Sequence, residues 1–272
     1  MTAHAGGATV THRRHPLRAL ATAEFRQFWR NKTLVAMGTL FPIGLPLVTF
    51  VIARRDAGST ATVAATTLEM FALVALLFVQ YYSVLSMVTT RRGEGVLKRL
   101  RTGEATDRQI QIAPGVPGAL LTVVGSVAIA AVVYGLGAPA PVNAVPIVVA
   151  MVAGVVLFSV LALATSGITR NAEAAQITSL PVMMLAMVGL GSIRSVLPEQ
   201  LSDIADRTPF AAISDLIALG STGRTAIAPE STAVLDAAGV FGAMGAPLAT
   251  LAVWTVLALA LTARTFRWDD RG

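Results

Sequence analysis

Cysteine is absent from this chain of 272 residues, so no disulfide, thiolate metal site or thiol nucleophile can be built from it. Histidine is nearly absent: His4, His12 and His15 all sit in the polar amino-terminal arm. No apolar segment can therefore supply a Ser-His pair or an H-E-x-x-H zinc site, which excludes intramembrane hydrolysis of those kinds. The only lysines, Lys32 and Lys98, both lack the glycine spacing of a phosphate-binding P-loop, so the chain does not hydrolyse ATP through that motif. Charge is scarce as well, at 13% of residues.

What fills the chain instead is apolar sequence: 54% of residues are hydrophobic and the mean hydropathy is +0.69, values of a membrane protein and not of a soluble domain. Charge-free or nearly charge-free runs extend over Thr33–Ala53, Leu68–Thr90, Ile112–Leu136, Ala144–Ile168, Ile177–Ile193 and Ala237–Ala263. At about 1.5 Å per residue each can cross roughly 30 Å of hydrocarbon, the fifth being the shortest. The expectation is an all-α integral membrane protein: an arm over residues 1–32, a six-helix transmembrane domain over 33–263 and a tail over 264–272. Glu69 is the only charged residue inside these runs, which disfavours a self-contained ion-coupled pump with a mid-membrane relay.

Six crossings put both termini on one side, and basic residues choose the side. Sixteen of the 21 fall in the arm, in the segment after the second run, at Arg170 and in the tail. The other five are Arg54, Arg55, Arg194, Arg207 and Arg224, with Asp56 beside the first pair. Both termini are therefore expected in the cytoplasm, and the arm lacks the apolar core and cleavage site of a signal peptide.

Three regions outside the runs carry information. In the arm, Pro16 suits a first helical turn and is followed by Leu17, Leu20, Phe25, Phe28 and Trp29 on one face, with Glu24 inside the apolar arc. This is expected to be an amphipathic interfacial helix, serving either as a lipid anchor or as a partner surface. The segment Pro209–Gly220, "PFAAISDLIALG", has apolar residues at helical spacing but is too short to span. It could lie at the outer interface, re-enter the bilayer or form a loop helix. After the second run comes "RRGEGVLKRLRTGEATDRQ", in which Val96, Leu97 and Leu100 share a helical face while Lys98, Arg99 and Arg101 lie off it. Gly103 is a helix stop, and Thr106 to Gln109 has the form of a capping box opening the next helix.

Inside the runs, Gln80, Tyr81, Tyr82 and Ser83 form a polar strip in the second, and Pro42, Pro46, Pro114, Pro117 and Pro181 should bend three others. The strip is a candidate pathway lining, and hydrogen bonding between helices is the competing reading for each residue singly.

Taken together, "EFRQFWRNKTLVAMGTLFPIGLPLVTF" (Glu24–Phe50), "TRRGEGVLKRLRTGEA" (Thr90–Ala105), "TSGITRNAEAAQITSLPVMM" (Thr165–Met184) and "LPEQLSDIADRTPF" (Leu197–Phe210) resemble the permease subunits of type-2 ABC exporters. The resemblance is to the drug-resistance group typified by daunorubicin exporters and extends over nearly the whole chain. This sequence departs from that pattern in having Gly93 before the acid at Glu94, and Glu104 where a proline is common. The resemblance implies that the first cytoplasmic loop is a coupling helix docking a separate ATPase subunit through Arg91, Arg92, Glu94, Val96, Leu97, Lys98, Leu100 and Arg101. It further implies that the interfacial helix with Glu24, Phe25, Phe28 and Trp29 flanks the same contact. Two permease copies, alike or different, would enclose one pathway in a bacterial plasma membrane. ATP and Mg would be held by the partner subunit, with no cofactor on this chain and no nucleic-acid partner. The transported molecule would be a hydrophobic or amphiphilic drug, antibiotic or lipid. A reading from another class is a non-transporting membrane anchor or sensor that recruits a cytosolic partner through its basic surfaces.

Overall fold

The computed structural model describes residues 22–269 apart from 24, 27, 28, 31, 104, 229 and 230, and all secondary structure among them is helical. Glu24, Phe28 and Glu104 thus lie outside the described residues. Helix α1 covers Lys32–Ala57 and contains Pro42 and Pro46. The 33-residue α2, Ala61–Gly93, starts at Thr60, whose hydroxyl accepts from Val63 N–H. It is wound as a π-helix over Ala75–Tyr82, a wider turn often found where a helix carries a functional polar group. Then follow the short α3 (Val96–Arg101), α4 (Asp107–Gly135) and α5 (Ala144–Ser166). In α4 the tight turn Ala113–Gly115 absorbs Pro114, and Thr106 and Gln109 close the expected capping box.

Beyond α5 the helices shorten to α6 (Ala174–Val188, interrupted at Ser179), α7 (Gly191–Arg194), α8 (Glu199–Ala205) and α9 (Pro209–Thr222). A long α10, Ala237–Thr265, follows them. Among the described residues, five helices are long and apolar enough to cross a bilayer: α1 from Gly38, α2, α4, α5 and α10. The run expected to be the fifth of six crossings is broken. Helix α6 ends at Val188 and Leu190 is extended (φ −61°, ψ 135°), so its 15 residues reach only about 22 Å. The cause is packing, because a Cβ on Gly189 would lie 2.6 Å from both Ala211 N and Thr208 Oγ1. The end of α6 is seated on the start of α9, where the chain must turn.

Helix α9 occupies the middle of the bundle. Predominantly apolar, it is buried over 209–214 and 216–221 and packs on α2, α5 and α10, with further contacts to α6, so its few polar groups must find partners inside the bundle. Asn143 N–H donates to Gly220 carbonyl oxygen (3.0 Å), joining the end of α9 to the start of α5. A non-spanning helix survives in hydrocarbon only when other helices shelter its ends, and α9 has that shelter. Leu76 of α2 and Ile213 of α9, both fully buried, converge on Gly154 of α5.

Helices α2 and α4 approach closely at Gly118, where an added Cβ would stand 2.7 Å from Val79 carbonyl oxygen and 2.6 Å from Gln80 Oε1. Gly118→Ala should therefore destabilise the fold by about 1–3 kcal/mol, read as a lower thermal midpoint in detergent. Gly135→Ala, which meets nothing within 4 Å, should leave the midpoint unchanged.

Candidate coupling face and its buried supports

The last turn of α2 brings Arg92 to the carbonyl end of α5. Its guanidinium, only 3% exposed, donates to the carbonyl oxygens of Ser166 (2.7 Å), Thr169 and Arg170 (3.2 Å). A helix ends with carbonyls that have no partner in the helix and a partial negative charge. A five-donor cation answers both needs at once. Gly93 ends α2, and Gly95 turns the chain in the left-handed region (φ 67°) to cap α3, a conformation that a side chain would strain.

From this support α3 takes its orientation. Leu97 is buried at 1% exposure, and Val96 and Leu100 are half-buried, so the apolar face turns into the chain's own core. Lys98, Arg99 and Arg101 are exposed, as is Glu94, while Arg91 is half-buried. Of the residues expected at a docking contact, Arg92 and Leu97 are thus internal. Arg99, absent from that expected set, stands on the open side. In the segment before α1, Phe25 and Trp29 meet edge to face at 5.8 Å, and Trp29 is exposed.

The polar strip of α2 points mostly inward. Gln80 Nε2 donates to Ser159 Oγ (2.6 Å) and to Gly115 carbonyl oxygen (3.2 Å), and Tyr81 hydroxyl donates to Thr165 Oγ1 (3.1 Å). Both residues are fully buried, and Tyr82 and Ser83 are half-buried. Gln80 and Tyr81 therefore tie α2 to α4 and α5.

Sequence reasoning missed a second buried support. About 13 Å along α2 from its cap, Glu69 Oε1 accepts from Ser214 Oγ (2.5 Å) on α9 and from Gly191 N–H (2.7 Å) at the start of α7. Beside it Arg194, at 1% exposure, binds Asp206 (2.8 Å) and Asp215 (2.7 Å), and Asp215 also accepts from Ala226 N–H (3.1 Å). Burial by itself would lower the Arg194 pKa, but its hydrogen bonds and charge pairing with Asp215 and Asp206 outweigh that and raise it above the ordinary value. The available signal was Glu69 itself, since an acid in an apolar run needs a partner. The segment between Arg194 and Asp236 was the place to seek one.

Helices long enough for several crossings, a cationic helix held between two of them and buried polar ties inside the bundle define a multi-pass membrane protein. The chain belongs to the ABC-2 type transporter family, whose model matches residues 15–216. It is accordingly a permease component of an ABC transporter, the membrane part and not the catalytic one. No curated protein matches it.

Removing Arg194 leaves Asp206 and Asp215 without their cation. Arg194→Met should destabilise the protein by about 3–5 kcal/mol, the cost of breaking a buried pair from one side. Asp206→Asn and Asp215→Asn added to it should recover part of the loss in thermal unfolding, and failure of that rescue would refute the pairing.

Proposed function

We propose that the chain is the permease of an ATP-driven exporter in a bacterial plasma membrane, moving a hydrophobic or amphiphilic compound outward together with a second permease copy. A separate ATPase subunit holds ATP and Mg and docks on α3 from the cytoplasm. Both termini lie on that side, which requires α6 to α9 to supply the remaining crossing as a pair of short sheltered segments, with α9 re-entering from outside. The observation that carries the reading is the construction of α3, a short capped helix seated on the core through Leu97, fastened at its root by Arg92 and open along Lys98 and Arg99.

The mechanism follows from that seating. When ATP draws the ATPase pair together, α3 moves with the surface on which it docks. Leu97 and the Arg92 clamp transmit the motion to α2 and α5 as packed, hydrogen-bonded bodies and not as a flexible loop. The hydrogen bonds from Gln80 and Tyr81 carry it along the same helices, and the Glu69 site joins α2 to the outer segment. The bundle surface is largely apolar, which suits a cargo drawn from the inner leaflet or cytosol; Tyr82 and Ser83, the less buried half of the polar strip, are the pathway candidates.

The test separates surface from support. Lys98→Glu with Arg99→Glu should abolish co-purification of the ATPase subunit and ATP-dependent transport into inverted vesicles while the thermal midpoint holds. Leu97→Asp should lower that midpoint whether or not the ATPase is present. Intact association and transport in the double charge reversal would sink the docking assignment.

A further inference from the structure

The chain's carboxy-terminal end returns to α3. Phe266 is extended (φ −61°, ψ 128°) and terminates α10, and the chain then runs back over the basic helix. Phe266 and Trp268 meet edge to face with ring centroids 4.9 Å apart, and both, like Leu100, pack half-buried against the core. The guanidinium of Arg101 lies over the Trp268 ring, 4.9 Å from its centroid, and its Nε stands 3.3 Å from Asp107 at the start of α4. Lys98 Nζ is 3.7 Å from Asp269. Two of the three cations of α3 are thus held by residues that follow the last long helix.

The root of this tail is fixed at the site that fixes α3. Thr265 Oγ1 donates to Ala164 carbonyl oxygen (3.3 Å), and a Cβ on Gly167 would collide with the Thr265 carbonyl. Between Ala164 and Gly167 lies Ser166, whose carbonyl receives Arg92. The ends of α2, α5 and α10 therefore meet in one knot, and α3 is attached to it from both sides.

We propose that Phe266–Asp269 is a strap that sets the orientation of α3, with Trp268 as the positioning residue, so that force on α3 reaches α10 as well as α2. Taken singly its polar contacts are weak: Lys98 and Asp269 form a solvated pair, and the cation–π contact of Arg101 is at an exposed site. The strap accordingly acts on direction and not on global stability. Arg99 takes no part in it and remains available, which fits a positioning element better than a plug over the docking face. The inference rests on the proposed docking role of α3 for its consequence, but not for the strap itself.

Because the native chain has no cysteine, one introduced thiol reports unambiguously. Arg99→Cys carrying a nitroxide is placed in the full-length protein in vesicles of phosphatidylethanolamine and phosphatidylglycerol, without ATPase. The label should be restricted. Trp268→Ala should shift it clearly to the mobile component at an unchanged thermal midpoint, and Trp268→Phe should restore the restriction. Unchanged mobility in Trp268→Ala would overturn the strap whatever binds α3. With the co-purifying ATPase subunit added, Trp268→Ala should lower ATP-dependent transport several-fold while association persists. A gain of transport in Trp268→Ala would make the tail a brake and overturn the positioning role. Altered mobility with no ATPase bound to the parent protein would uphold the strap and refute the docking reading instead.

Discussion

Arg92 closes the carbonyl end of α5, and the placement of α3 depends on that closure. The carbonyl oxygen of Ser166 at the end of an apolar helix, and those of Thr169 and Arg170 in the loop just beyond it, would otherwise need water or capping turns of their own, and one guanidinium supplies enough donors for all of them. Once Arg92 is spent there, the end of α2 is fixed, Gly95 can turn the chain only where it does, and Leu97 falls into the core. The cations of α3 are left outside as a consequence of how its base is held.

The same economy of polar groups recurs deeper in the bundle. Gln80 and Tyr81 hold α2 to its neighbours, and Glu69 holds it to α7 and α9. Around Arg194 the two aspartates and the backbone of Ala226 complete a site in which charge is matched inside an apolar protein. Together these ties leave few loose joints between α3 and the helices α7 to α9. Such a chain is suited to transmit a push: interhelical hydrogen bonds and close packing move helices as bodies, whereas a flexible linker would absorb the displacement.

Family membership and this internal architecture bear on different questions. The matched region, residues 15–216, ends within α9. The residues that bring the tail back to α3 lie beyond it, so the strap is argued entirely from contacts within this chain.

By itself the sequence determined what depends on composition and short-range order. The apolar runs became α1, α2, α4, α5 and α10, the capping box at Thr106 formed, and Val96, Leu97 and Leu100 fell on the inner face of a short helix. These follow from helical periodicity and local hydrogen bonding, which neighbouring residues settle among themselves. Tertiary structure decided the rest. Nothing in the local pattern showed that the helix of Ile177–Ile193 would stop at Gly189 against α9, or that Arg92 and Leu97 would be buried within the chain. Partners for Glu69 and Arg194, and for Arg101 in Trp268, come from residues distant in sequence. A charge in an apolar chain announces that it needs a partner, but only the packed bundle determines which one comes within reach.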